Sequence, residues 1–184
     1  MKHRLFIAIN LPEPLKKRLA KLILELERRN KGLPVKWTNP EGLHLTLHFL
    51  GYLEEQQIPQ VEKILEKVNK NCPPFIMRLD NIDVFPNFDN PRIIFVDCGK
   101  LGGGKACSIQ KAIGEELEKG GFDVESRPWH EHVTIARVKD KCQLNIPRVE
   151  MGESDFEVRS IELMESQLTP GGAKYRVVKS FKLG

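Results

Sequence analysis

The chain is predicted to take an α+β fold: two pseudo-symmetric lobes, antiparallel sheets lining a central cleft, and helices on the outside. Three observations lead there. Helical and strand patterns interleave along the sequence. The strands come in hairpin-like pairs, which argues against a doubly wound parallel sheet. One short phrase is written twice, as His44-Leu45-Thr46-Leu47 and His132-Val133-Thr134-Ile135. Two copies of one phrase, each in a strand-like run, suggest a duplication in which one strand of each lobe faces a shared cleft. The 184 residues then form a single two-lobed domain over 1–184.

The elements follow in order. Arg4 to Asn10 reads as an apolar strand. Pro12 and Pro14 open an amphipathic helix to about Arg29, with Leu15, Leu19, Leu22, Ile23 and Leu26 at helical spacing and Lys and Arg between them. Asn39-Pro40-Glu41-Gly42 is a turn cluster before the first motif strand. A second helix is expected over Gln57–Asn71, then strands at about Phe75–Val84 and Arg92–Cys98. Gly102-Gly103-Gly104 lacks the Lys-Ser/Thr of a phosphate-binding loop and reads as a connection. A third helix spans roughly Lys105–Lys119, closed by Gly120-Gly121. Late strands are expected near Phe156–Leu163 and Tyr175–Phe181, with Pro170-Gly171-Gly172 between them.

Composition narrows the class. The net charge of +4 and the hydrophobic content of 40% suit an ordinary core and tolerate an anionic partner without requiring one. No run approaches the roughly 20 apolar residues of a membrane span, and the first apolar stretch is too short for a signal peptide. A cytoplasmic location with no membrane partner is the expectation. The four Cys make no Cys-x-x-Cys pair, so neither a zinc ribbon nor a small disulfide scaffold is indicated.

The motif strands carry the chemistry. In a strand, residues i and i+2 share a side. Leu43, Leu45, Leu47 and Phe49 are therefore expected on the core face, with His44, Thr46 and His48 opposite. In the second copy Val133 and Ile135 are core candidates, and His130, His132 and Thr134 share the polar face. Two imidazoles suit acid–base catalysis near neutral pH, one as acid and the other as base. Such a pair fits displacement at phosphorus, with Thr hydroxyls donating to the non-bridging oxygens. Zinc held by His44, His48, His130 and His132 is a weaker reading, because neither polar face carries a carboxylate. Arg137 and Arg92 are candidate anion contacts, with Lys36, Arg127, Lys174 and Arg176 also nearby. Tyr175 or Trp129 could stack on a base.

These residues resemble the 2H phosphoesterase superfamily, and within it the RNA 2′,3′-cyclic phosphodiesterase or 2′–5′ RNA ligase family. The resemblance runs from Val35-Lys36-Trp37 through Asn39 to Gly51, continues in Phe85-Pro86 and Pro91-Arg92-Ile93-Ile94-Phe95-Val96, and returns in Arg127 to Arg137. Ile161 to Leu168, Gly171-Gly172 and Tyr175 complete it. Glu131 departs from the pattern, which has Pro there; on the face opposite His132 it should alter how the strand begins rather than the chemistry. His48 stands where a basic residue is frequent.

The resemblance implies hydrolysis of an RNA 2′,3′-cyclic phosphate to a 2′-phosphomonoester without metal or other cofactor. It makes His44 the proton donor to the leaving 3′-oxygen and His132 the proton acceptor that activates water. Thr46 and Thr134 would hold the phosphoryl oxygens, with Arg137, Arg92 and Tyr175 as further substrate contacts. Partners would be RNA with cyclic phosphate ends, tRNA fragments among them, or nucleotides, acted on by a monomer. Some members also join RNA ends through a 2′–5′ linkage. Two alternatives stay open: an RNA-binding module of the same fold with little catalysis, and a small-nucleotide cyclic phosphodiesterase.

Overall fold

A computed structural model describes residues 1–147, 149, 151–152, 154–169 and 172–184. Among the described residues nine strands are ordered β1 (Lys2–Asn10), β2 (Val35–Trp37), β3 (His44–Glu54), β4 (Phe75–Phe85), β5 (Ile93–Cys98), β6 (His132–Val138), β7 (Asp155–Val158), β8 (Ser160–Thr169) and β9 (Gly172–Lys182). The helices are α1 (Glu13–Arg29), α2 (Ile58–Asn69) and α3 (Lys100–Lys119). The sheet order is β7-β4-β5-β6-β3-β1-β8-β9, with β2 added to β6, and the pairs are antiparallel. The two lobes are thus halves of one continuous sheet, joined where β3 meets β6. Among the described residues no helix is long and apolar enough to cross a membrane.

Two expectations change, and one short strand is added. The strand expected over Phe156–Leu163 is broken at Arg159 into β7 and β8, which pair with β4 and β1 respectively. A one-residue link between strands so far apart in sheet order requires the sheet to curl back on itself. Gly102–Gly104 falls inside α3 rather than before it, and Val35–Trp37 forms a short strand on β6. The Pro170-Gly171 turn lies outside the described residues.

The core sits behind the sheet. On β1, Leu5, Ile7 and Ile9 are buried against the helices. α1 adds Leu15, Leu19, Ile23 and Leu26, the stripe its spacing demands. Each such side chain contributes about 1.5–3 kcal/mol on leaving water. α1 ends in a buried clasp: Asn30 donates from Nδ2 to the carbonyls of Leu26 and Asn145 and accepts from the Asn145 N–H.

Two bulges shape the front face. On β3 the register steps from Ala8↔Thr46 to Ile7↔His48, leaving Leu47 as the extra residue. On β6 it steps from Phe95↔Thr134 to Ile94↔Ala136, leaving Ile135 extra. Each bulge therefore follows directly after a His-x-Thr pair, and each reverses the alternation that follows. This corrects the reading of His48 and Phe49. His48 is buried behind the sheet, where its Nε2–H donates to the Gln110 carbonyl of α3 at 2.7 Å. Phe49 is on the front, 61% exposed.

Candidate active site

Leu45 of β3 pairs with Val133 of β6. That antiparallel register sets His44 beside Thr134 and Thr46 beside His132. The four side chains thus mark a rectangle on the front face, with the imidazoles on one diagonal and the hydroxyls on the other. Diagonal neighbours across an antiparallel pair stand about 7–8 Å apart, which leaves room for a phosphoryl group between them.

Both imidazoles are held by the same contact. The His44 Nδ1–H donates to the Gly42 carbonyl at 2.6 Å, and the His132 Nδ1–H donates to the His130 carbonyl at 2.8 Å. A carbonyl only accepts, so the proton of each neutral ring sits on Nδ1 and the Nε2 lone pair is left for chemistry. Asn39 supports the first of these loops: its side-chain Oδ1 accepts the Glu41 backbone N–H.

The surroundings of the two rings differ. His44 packs against Phe6 at a centroid distance of 4.8 Å and meets Tyr175 edge-on at 4.9 Å. Burial there, opposed by the Gly42 hydrogen bond and assisted by the charge of Lys16, lowers its pKa to about 4. His132 meets Phe95 at 5.4 Å and stacks with His130 at 6.0 Å. Burial also lowers its pKa; the hydrogen bond to the His130 carbonyl opposes this, the charges of the His130 ring and Arg137 add to it, and Asp97 opposes it. Asp97 lies opposite His132 on β5 and takes the Nε2 of His130 at 3.2 Å.

The anticipated residues separate into those at the site and those elsewhere. Thr46, Thr134 and Tyr175 share the face of the two His, and Arg137 is close enough to His132 to repel its proton. Arg92 immediately precedes β5, where it is exposed; its N–H donates to the Phe85 carbonyl and its carbonyl accepts the Val138 N–H. Trp129 is structural: its Nε1–H donates to the Thr46 carbonyl at 3.0 Å and ties the second motif loop to β3. Arg127 pairs with Glu125, and Arg176 with Glu165. The Glu131 carbonyl takes the Cys98 N–H, and burial beside Asp97 pushes its carboxyl up to about 7. Among the described residues no group of three His, Cys, Asp or Glu is placed to hold a metal ion.

Sequence reasoning missed Phe6 and Lys16. Phe6 had a signal: β1 is apolar on both faces, so its front face also had to meet something. Lys16 read as one of the polar residues between the apolar positions of α1. It is instead buried, and its ammonium donates to the Glu41 carbonyl at 3.1 Å beneath the His44 loop.

Known proteins resemble this chain in sequence and fold. The family model described as LigT like Phosphoesterase matches residues 9–95. The RNA 2′,3′-cyclic phosphodiesterase of Aquifex aeolicus is 35% identical over 157 residues, 81% of this chain and 82% of that protein. The protein of the same name from Archaeoglobus fulgidus is 31% identical over 97% of this chain and 99% of its own length. Among solved structures, TT0787 of Thermus thermophilus superposes with a TM-score of 0.85 at 27% identity, covering 98% of this chain and 97% of that one. Escherichia coli LigT complexed with 3′-AMP gives 0.84 at 20% identity over 100% and 99%, a likeness of fold.

Proposed function

The chain belongs to the LigT-like phosphoesterase family, and from that membership we propose that it is an RNA 2′,3′-cyclic phosphodiesterase. It opens the cyclic phosphate at an RNA 3′ end to a 2′-phosphomonoester. The observation that carries this reading is the diagonal of two imidazoles whose Nδ1 protons are both committed to carbonyls.

With the cyclic phosphate between the imidazoles, His132 accepts a proton from water at Nε2 as the water oxygen bonds to phosphorus. The bond from phosphorus to the 3′-oxygen breaks, and protonated His44 delivers its Nε2 proton to that oxygen. Products are a 2′-phosphate and a 3′-hydroxyl, and exchange with solvent returns the proton from His132 to His44. Thr46 and Thr134 donate to the non-bridging oxygens, and Arg137 adds positive charge as they gain negative charge. The chain's own side chains supply both proton transfers, so the step runs without a metal. A ribose 5′-hydroxyl attacking phosphorus in place of water uses the same two transfers, breaks the same bond to the 3′-oxygen and makes a 2′–5′ linkage beside a free 3′-hydroxyl.

The test is an RNA oligonucleotide ending in a 2′,3′-cyclic phosphate, incubated with the protein in EDTA, with the phosphate located by NMR. A 2′-phosphate supports the reading. A 3′-phosphate, an unchanged cyclic end, or turnover only on adding a divalent metal contradicts it.

A further inference from the structure

The bulges after the two His-x-Thr pairs deliver different side chains to equivalent places on the front face. On β6 the reversed alternation brings forward Arg137; on β3 it brings forward Phe49. A further register step leaves Leu50 extra and sets Tyr52 opposite Arg4, in line with Phe49 opposite Phe6. Phe49 and Tyr52 are 61% and 62% exposed, too open to act as core. Isolated exposed aromatics need no explanation, but Phe49 is joined to the site through Phe6, and Tyr52 follows it on the same face of β3. Phe6 touches His44 at 4.8 Å on one side and Phe49 at 6.3 Å on the other.

The charge on this side suits a polyanion. Arg4 donates to the Ser166 hydroxyl at 3.2 Å, and among the described residues no carboxylate forms an ion pair with it. The two carboxylates of β8 are already engaged. Glu165 is held by His3 and Arg176, and Glu162 accepts from the Asn10 N–H and from Ser160 and Ser180. The other side of the cleft carries Asp97 directly opposite His132, engaged with His130 Nε2 at 3.2 Å, and among the described residues shows no comparable pair of exposed aromatics in contact with the site. Phe85 and Phe88 are exposed too, but among the described residues no ring contact joins them to the site.

We propose that Phe49, Tyr52 and Arg4 form a platform for the single-stranded RNA body on the 5′ side of the terminal cyclic phosphate. Phe49 and Tyr52 stack on successive bases, and Arg4 meets the phosphate between them. This rests on the phosphodiesterase reading and adds to it: the RNA runs along β3 and β1, and the enzyme prefers oligonucleotides to mononucleotides.

The test compares adenosine 2′,3′-cyclic phosphate with a tetraribonucleotide ending in the same group. Phe49→Ala and Tyr52→Ala each raise KM for the tetranucleotide about tenfold, with kcat unchanged and mononucleotide kcat/KM within about twofold. Arg4→Gln does the same and flattens the salt dependence of the tetranucleotide KM. Equal losses on both substrates, or no loss on the tetranucleotide, overturn the platform. Should the wild type turn over neither substrate, the phosphodiesterase reading falls, and the platform is judged by binding of a fluorescein-labelled tetranucleotide with a 3′-phosphate. Weaker binding by Tyr52→Ala sustains it, and unchanged binding sinks it.

Discussion

Gly42 lies against the ring of Tyr175 so closely that a methyl group at its Cα would stand 2.7 Å from Cδ2. The same residue gives its carbonyl to His44, and Tyr175 packs edge-on to that imidazole. One small residue thus sets both the tautomer and the wall of the His44 ring.

Gly42→Ala must therefore displace Tyr175 or tilt the loop that orients His44. Turnover should fall at least tenfold, as misplacement of a reacting group by fractions of an ångström does, while thermal stability changes little. Steady-state kinetics with a thermal melt checks this. Wild-type kcat would show that the ring moves aside without consequence.

His48, for all its place in the first motif strand, should behave as a core residue. His48→Ala removes a buried ring and its hydrogen bond to the Gln110 carbonyl. About 2–4 kcal/mol of stability should be lost, with kcat near wild type at a temperature where the variant is folded. Chemical denaturation measures the first and initial rates the second. A stable but inactive variant would place His48 in the chemistry after all.

Burial holds both front imidazoles below the ordinary histidine value, His44 at about 4. The reaction needs one of them protonated and the other neutral. In the free enzyme both are neutral above about pH 6.5, so kcat/KM should fall with rising pH from there, approaching tenfold per unit. An anionic phosphate between the rings favours their charged forms, so the alkaline limb of kcat should lie at higher pH than that of kcat/KM. A kcat/KM that is flat or rising from pH 6.5 to 8.5 would contradict this assignment.

The four corners of the site were legible because His-x-Thr in a strand places both side chains on one face whatever surrounds it. Alternation failed one residue later, at Leu47 and Ile135, because a bulge is a property of pairing with the neighbouring strand. Neither the misplacement of His48 nor the exposure of Phe49 could be read without β1 alongside. The break at Arg159 did have a signal: Phe156 and Val158 are out of phase with Ile161 and Leu163, and the adjacent polar pair Arg159-Ser160 marks the slip. The Trp129 hydrogen bond to the Thr46 carbonyl joins residues far apart in the chain, which no local pattern announces.

The most direct test of the two-histidine account is the single-turnover rate of His44→Ala, His132→Ala and the double variant on cyclic-phosphate RNA, with circular dichroism confirming the fold. Each single variant should lose about a thousandfold or more, and the double variant little beyond either single, because the two groups act as one unit. A folded single variant that keeps its rate within tenfold of wild type would show that the chemistry does not pass through that imidazole.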